Sequence, residues 1–157
     1  MRVLWIEGKH VVIRPAQWDE IVDLRHAVLR QGLPREEALF PGDDAPTSRH
    51  WAAISDGLVV GCATLHASQW EGEPAWQLRG MATVPEFRGK GIGRALLEEM
   101  VAEFHAAGPA GAGTLLWCNA RVPAVGFYQT MGWQVVSGQF EIPTAGPHVK
   151  MIKRLAP

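Results

Sequence analysis

The sequence predicts a mixed α/β (α+β) fold in which a single sheet is flanked by helices. Short apolar runs bounded by glycine and proline alternate along the chain with amphipathic stretches of helical period. The chain has 157 residues, of which 47% are hydrophobic and 20% are charged. These values are typical of one globular domain with a substantial core, so we expect residues 1–157 to form a single domain.

The first part of the chain is predicted to contain a strand, a helix and a hairpin. The strand covers residues 9–14 and ends at Pro15, because proline has no N–H to give a neighbouring strand. A helix follows over residues 18–30, with Asp19 and Glu20 favouring its start and Arg25 and Arg30 its end. Its inward-facing residues are expected to be Trp18, Ile21, Leu24 and Val28. Residues 51–54 and 58–65 are predicted to form a hairpin around the Asp56-Gly57 turn.

The second part is predicted to alternate strands and helices around short turns. After a turn at residues 70–74, the expected strands lie at residues 77–84, 114–118, 133–136 and 149–152. The expected helices lie at residues 91–107 and 122–131, and Gly132 ends the second of them as a C-cap. Residues 108–113 are predicted to form a flexible connection, and residues 137–148 are predicted to form a loop between the last two strands.

A glycine-rich turn, Arg88-Gly89-Lys90-Gly91-Ile92-Gly93, joins the strand at residues 77–84 to the helix at residues 91–107. Alternate glycines let the main chain approach a ligand, and the helix start adds unpaired N–H groups, so the turn suits a phosphate or pyrophosphate. The neighbouring cations conflict with the helix dipole unless an anion binds there. A Walker A loop is excluded because Lys90 is followed by glycine, and the spacing is not that of a Rossmann fingerprint.

This turn resembles the [Q/R]-x-x-G-x-[G/A] loop of the GNAT superfamily of N-acetyltransferases. The segment ARVPAVGFYQTMGW at residues 120–133 resembles a second element of that family, A-x-x-F-Y-x-x-x-G-F, and the two motifs stand in the family order. The resemblance is to a small bacterial-type single-domain member. It implies a mostly antiparallel central sheet and an N-acetyltransferase that uses acetyl-CoA without a metal.

The resemblance also implies which residues contact coenzyme A. Residues 89–94 would hold the pyrophosphate, and a main-chain N–H within residues 81–83 would polarise the thioester. Tyr128, the only tyrosine, would protonate the departing thiolate as general acid. The full implied set is Met81, Ala82, Thr83, Arg88, Gly89, Lys90, Gly91, Ile92, Gly93, Arg94, Asn119, Phe127 and Tyr128.

The general base is not identified by the resemblance. Gln77, Leu115-Leu116 and Arg121 stand where family members place a carboxylate or an asparagine, and Asn119 is offset by two residues. The candidates that remain are a water molecule and four loop residues: Glu71, Glu73, Glu141 and His148.

The implied acceptor is a primary amine of a small molecule or peptide. By resemblance, residues 31–49 are a candidate lid beside the acceptor groove, with a mobile surface loop as the alternative. The acidic residues of this segment, Glu36, Glu37, Asp43 and Asp44, are candidates to attract a cationic amine. Two other functions stay open: a non-catalytic acyl-CoA-binding sensor, and a nucleotide-dependent enzyme that binds ATP or NAD at the same glycine loop.

Composition indicates which other partners to expect. A formal net charge of -1 argues against nucleic acid binding, and the six histidines lack metal-ligand spacing. The first residues resemble neither a signal peptide nor a membrane span, so we expect a cytoplasmic protein. Cys62 and Cys118 are expected to be reduced core thiols, with a buried disulfide as the alternative. The resemblance also allows a homodimer.

Overall fold

A computed structural model describes residues 1–107 and 115–155, and these ranges contain nine strands and three α-helices. The helices are α1 (Trp18–Leu29), α2 (Ile92–Ala107) and α3 (Val125–Thr130). The strands are β1 (Arg2–Ile6), β2 (Lys9–Ala16), β3 (Arg49–Ser55), β4 (Leu58–Trp70), β5 (Glu73–Thr83), β6 (Leu115–Arg121), β7 (Gln134–Val135), β8 (Phe140–Ile142) and β9 (Gly146–Arg154).

The strands are hydrogen-bonded in the order β1-β2-β3-β4-β5-β6-β9-β7, and β8 pairs with β9. The β5–β6 pair is parallel, whereas β1–β2, β2–β3, β3–β4, β6–β9, β7–β9 and β8–β9 are antiparallel. The predicted mixed, mostly antiparallel sheet with helices is therefore confirmed. The chain divides into two compact units, residues 1–66 with 80–107 and residues 67–79 with 115–155.

The first unit is organised as the local patterns predict. Asp56 and Gly57 both have positive φ angles, 51° and 75°, as the two-residue turn between β3 and β4 requires. On α2 the residues at four-residue spacing, Ile92, Leu96, Met100 and Phe104, are all at most 4% exposed. A core cluster joins α1 to the sheet and contains Ile21, Leu24, Ala52, Cys62 and Ala82.

The first unit also departs from prediction. Strand β1 was not predicted, and it pairs with β2 through the turn at Glu7-Gly8. Pro15 lies inside β2 rather than ending it. The pairing with β1 stops at Ile13, so the missing N–H of Pro15 removes no bond to β1. Arg25 is 1% exposed, so it does not act as a solvated cation at the end of α1.

The second unit carries the predicted helix and one further strand. The helix expected over residues 122–131 consists of a 3-10 turn, Val122–Ala124, and α3. Gly132 follows with a φ angle of 89°, which confirms it as a C-cap. Strand β8 lies within the loop predicted at residues 137–148. The connection predicted at residues 108–113 lies outside the described residues, as does Thr114.

Two further features concern the whole described chain. Cys62 and Cys118 are buried and free, so the predicted reduced thiols are confirmed and the disulfide alternative is wrong. Within the described ranges, no helix has the length and apolar character needed to cross a membrane.

Candidate active site

The glycine loop connects β5 to α2 through a short 3-10 turn, Pro85–Phe87. Gly89 and Gly91 have φ angles of 74° and 88°, in the left-handed region that favours glycine. A Cβ atom added at either position would meet no protein atom within 4 Å. These glycines are therefore required by the backbone conformation, and the space in front of them is open to a ligand.

The first turn of α2 presents main-chain donors next to this loop. The helical hydrogen bonds of α2 begin with the N–H of Ala95, which donates to the carbonyl of Gly91 (3.0 Å), so the N–H groups of residues 92–94 have no helical acceptor. The side chain of Ile92 is 1% exposed and packs against Gly61 of β4. A Cβ atom added at Gly61 would lie 3.1 Å from Ile92 Cγ2. Ile92 therefore anchors the helix start through its side chain and offers a ligand only its main chain.

The cations of the loop have partners inside the protein. Lys90 Nζ lies 2.8 Å from Glu7 Oε2, and Arg94 Nε lies 3.6 Å from Glu98 Oε1. Arg88 Nε donates to the carbonyl of Thr83 (3.2 Å). These protein partners also balance the charges of the loop, so support for anion binding rests on the glycines and the helix N–H groups. Such exposed ion pairs are weak enough for a phosphate to replace them.

The end of β5 is irregular just before the residues implied to bind the thioester. Gly80 has a φ angle of 65° within the strand, and its carbonyl accepts a hydrogen bond from Cys62 Sγ (3.3 Å). A Cβ at Gly80 would lie 2.6 Å from Arg25 Nε, so only glycine fits against the buried guanidinium. Beyond this break Ala82 is buried in the core, whereas Met81 and Thr83 are half-buried.

The predicted lid is held by a buried ion pair. Asp43 is 5% exposed, and its carboxylate accepts hydrogen bonds from the guanidinium of Arg25 and from the N–H of Phe40. Arg25 also donates to Thr64 Oγ1 (2.8 Å). Asp43 is therefore a structural residue rather than a group that attracts an amine. Its neighbour Asp44 is exposed and lines a cavity of about 510 Å³ together with Trp18, Arg49 and Glu103.

Tyr128 lies in the second unit, inside an aromatic cluster. It is 8% exposed, and its ring centroid lies 5.2 Å from that of Phe127 and 5.5 Å from that of Trp133, both edge-on. Burial, together with the nearby Cys118 thiol, raises the pKa of Tyr128 above its ordinary value. The phenol therefore stays protonated at neutral pH and is a hydrogen-bond donor.

Asn119 faces away from Cys118, because successive side chains of a strand point to opposite faces. Cys118 is buried, whereas Asn119 is half-buried and its Oδ1 accepts a hydrogen bond from Lys150 Nζ (3.0 Å). Lys150 also lies over the ring of Trp117, 4.7 Å from its centroid. Sequence reasoning missed this cluster. The signal that could have found it is the alternation in WCNAR, where Trp117, Asn119 and Arg121 are separated by the small residues Cys118 and Ala120.

The four candidate bases differ in their exposure and in their hydrogen-bond partners. The hydrogen bond from Arg154 lowers the pKa of Glu73, which makes it a weaker base, and Glu71 and Glu141 are exposed. His148 is 4% exposed, and its Nδ1–H donates to the carbonyl of Gly146 (2.7 Å). That bond leaves Nε2 as the proton acceptor of the neutral ring. No group of three or more histidine, cysteine, aspartate or glutamate side chains in the described part of the chain could hold a metal ion.

Comparison with known proteins agrees with this architecture. Residues 46–135 match the family model described as acetyltransferase (GNAT) domain. The uncharacterized N-acetyltransferase YitI of Bacillus subtilis is 31% identical over 143 residues, which cover 87% of this chain and 91% of that protein.

Two solved structures share the fold. ElaA of Escherichia coli superposes with a TM-score of 0.75 at 18% identity, covering 91% of this chain and 99% of that one. An aminoglycoside 6'-N-acetyltransferase complexed with coenzyme A superposes with a TM-score of 0.71 at 16% identity, covering 93% and 98%. The family match and the relative in Bacillus subtilis together establish that this chain belongs to the GNAT family and is an acetyl-CoA-dependent N-acyltransferase.

Proposed function

We propose that this chain transfers the acetyl group of acetyl-CoA to a primary amine of a small molecule or peptide, with Tyr128 as the proton donor. The observation that carries the proposal is the environment of Tyr128, a buried phenol held edge-on between Phe127 and Trp133 that stays protonated at neutral pH. Such a group holds its proton at neutral pH and can give a hydrogen bond to a developing thiolate.

The reaction follows from direct attack. The neutral amine nitrogen attacks the thioester carbonyl carbon, and the carbonyl oxygen gains negative charge that a main-chain N–H within residues 81–83 stabilises. The C–S bond then breaks as the C–N bond is completed. The departing sulfur takes the proton of Tyr128, and the nitrogen loses a proton to water or to a base. Holding the two reactants in line supplies much of the acceleration.

The glycine loop is the proposed pyrophosphate site. Its support is the open space in front of Gly89 and Gly91 and the N–H groups of residues 92–94. Arg88, Lys90 and Arg94 would exchange their protein partners for phosphate oxygens. Phe127 and Asn119 stay in the proposed coenzyme A set on the resemblance alone. We also propose a cytoplasmic location, where acetyl-CoA is available.

The test is the Tyr128→Phe variant, which keeps the ring contacts with Phe127 and Trp133 and removes the proton. We expect the acetylation rate to fall on the order of 10²-fold while acetyl-CoA affinity, measured by isothermal titration, changes little. An aryl thioester, whose leaving thiol needs no protonation, serves as the control and should lose far less rate. An unchanged rate with acetyl-CoA would remove Tyr128 from the mechanism. Binding of acetyl-CoA without turnover of any amine would contradict the proposed transfer.

A further inference from the structure

One face of β6 and β9 carries polar and aromatic side chains, most of which have no role in the proposed reaction. Trp117, Asn119 and Arg121 share a face of β6, and their register partners on β9 include Lys150 and His148. Phe140 of β8 is the partner of His148 and shares that face. We define the Lys150 face by six residues: Trp117, Asn119, Arg121, Phe140, His148 and Lys150.

Lys150 is held in place on this face. Its Nζ donates to Asn119 Oδ1 (3.0 Å) and lies 4.7 Å from the ring centroid of Trp117 and 5.3 Å from that of Phe140. Its main-chain N–H donates to Ser137 Oγ (2.8 Å). An exposed lysine normally keeps its rotamer freedom and loses it when it binds an anion. The contacts of Lys150 already restrict its rotamers, so binding an anion would cost less side-chain entropy.

The partners of the Lys150 ammonium are neutral. Within residues 1–107 and 115–155 they are an amide oxygen and two aromatic faces, and none is a carboxylate. Arg154, which points to the same side of β9 four residues later, is by contrast paired with Glu73 at 2.8 Å. A fixed cation with neutral partners on a half-exposed surface is suited to bind an anionic group.

The Lys150 face lies partly on β6, the strand that also carries Cys118, a neighbour of the proposed proton donor Tyr128. The parallel pairing of β5 with β6 ends at Leu78–Cys118, and β6 continues past it. Cys118 lies close enough to Tyr128 to influence its pKa, and Asn119 follows on the opposite face of the strand. The Lys150 face therefore lies on the side of β6 opposite to Cys118. It also carries His148, whose Nε2 is a candidate acceptor for the proton of the amine.

We propose that the Lys150 face binds a carboxylate of the acceptor, so that the acceptor is a primary amine that also carries a carboxylate, such as an amino acid. This inference rests on the proposed function and names its substrate class. Lys150 supplies the charge, and the amide N–H of Asn119 supplies a donor, because its oxygen is already used by Lys150. Arg121 adds a second cation on the same face.

The kinetic test compares amino acids with their amides as acceptors. We expect the acid forms to be acetylated with a kcat/KM roughly tenfold to 100-fold above the amides, the usual effect of one charge-assisted contact. Lys150→Gln should abolish this preference mainly through the acceptor KM, with the KM for acetyl-CoA unchanged, and Lys150→Arg should restore part of it. Arg154→Gln is the matched control, because the charge that it removes is already neutralised, and it should keep the preference.

A binding test separates this inference from the proposed function. N-acetyl amino acids and their amides are titrated by NMR at millimolar concentration, following the indole N–H of Trp117, which donates to Ser68 (3.3 Å). Binding of the acids alone, lost in Lys150→Gln, upholds the inference even if no amine is acetylated, in which case only the proposed function fails. Equal binding of acids and amides, no binding of either, or binding that persists in Lys150→Gln overturns the inference.

Discussion

The guanidinium of Arg25 explains why segment 31–49 is ordered around buried groups. It donates to Asp43, to the carbonyl of Ala38 (3.0 Å) and to Thr64, which in turn contacts His50 Nδ1 (2.7 Å). His50 Nε2–H donates to the carbonyl of Asp43 (2.9 Å), which closes the network. These groups are at most 6% exposed, so each one is needed to satisfy the others.

Removal of one partner from this network should be strongly destabilising. We expect Asp43→Ala to lower the free energy of unfolding by about 3–5 kcal/mol, because the variant leaves the charge of Arg25 buried and unpaired. The adjacent exposed residue gives the control, and Asp44→Ala should change the free energy by no more than about 0.5 kcal/mol. Urea denaturation measures both. Similar small effects for the two variants would show that the buried pair is dispensable.

Residue roles could be predicted from sequence only where a local motif carried them. The glycine loop and Tyr128 belong to short motifs, so their candidate roles could be predicted from the sequence. The partners of Arg25 lie 13, 18 and 39 residues away, and Lys150 meets Asn119 across 31 residues. Tertiary packing brings Arg25 to its partners, and the register of β6 with β9 places Lys150 beside Asn119, and neither is fixed by local sequence pattern.

At the scale of elements, local periodicity predicted α2 and the Asp56-Gly57 turn predicted the β3–β4 hairpin, whereas an unusual turn sequence explains why β1 was missed. The turn before β2 places Glu7 at a φ angle of 49° beside Gly8 at 78°. A two-residue turn of this kind normally has asparagine or aspartate at the first position, so Glu-Gly gave no hairpin signal. Strand β8 has three residues and exists through its pairing with β9. Neither strand could be identified from composition.

The start of α2 allows a test of the pyrophosphate site that leaves the fold intact. Gly93 is a helical residue, so Gly93→Ala should raise stability by up to about 1 kcal/mol through helix propensity. The added methyl group should nevertheless weaken acetyl-CoA binding, by roughly tenfold for a loss near 1.4 kcal/mol, because it crowds a ligand held by the main chain. Isothermal titration and thermal unfolding measure the two effects.

The control for this helix variant is Gly138→Ala, a loop glycine with a negative φ angle and no atom within 4 Å of an added Cβ. It should change neither the affinity nor the stability appreciably. If Gly93→Ala binds acetyl-CoA as tightly as the parent protein, the glycine loop is only a connection between β5 and α2.

At the scale of the whole molecule, each compact unit buries one thiol. Cys62 is 0% exposed within the core cluster of the first unit, and Cys118 is 2% exposed on β6 in the second. Burial raises the pKa of each thiol from 9.0 to about 12. Both thiols should therefore be inert to alkylation in the folded protein, and both contribute to the dependence of stability on pH.

The alkaline stability of the protein follows from the sign of these shifts. In the unfolded chain each thiol releases its proton near pH 9, whereas in the folded protein it holds the proton to about pH 12. The stability contributed by each thiol is therefore full below about pH 9 and is lost as pH rises toward 12, at about 1.4 kcal/mol per pH unit.

Urea denaturation between about pH 8 and 11 should show this decline. Cys62→Ala and Cys118→Ala should each reduce the slope by the share of one thiol, although both variants begin from a lower stability because they leave small cavities. Burial also raises the pKa of Tyr128, which adds a decline of the same sign, so the difference in slope between each variant and the parent isolates the thiol. A slope unaffected by either substitution would mean that the thiols ionise as readily in the folded protein as in the unfolded chain, and that the two cores admit water.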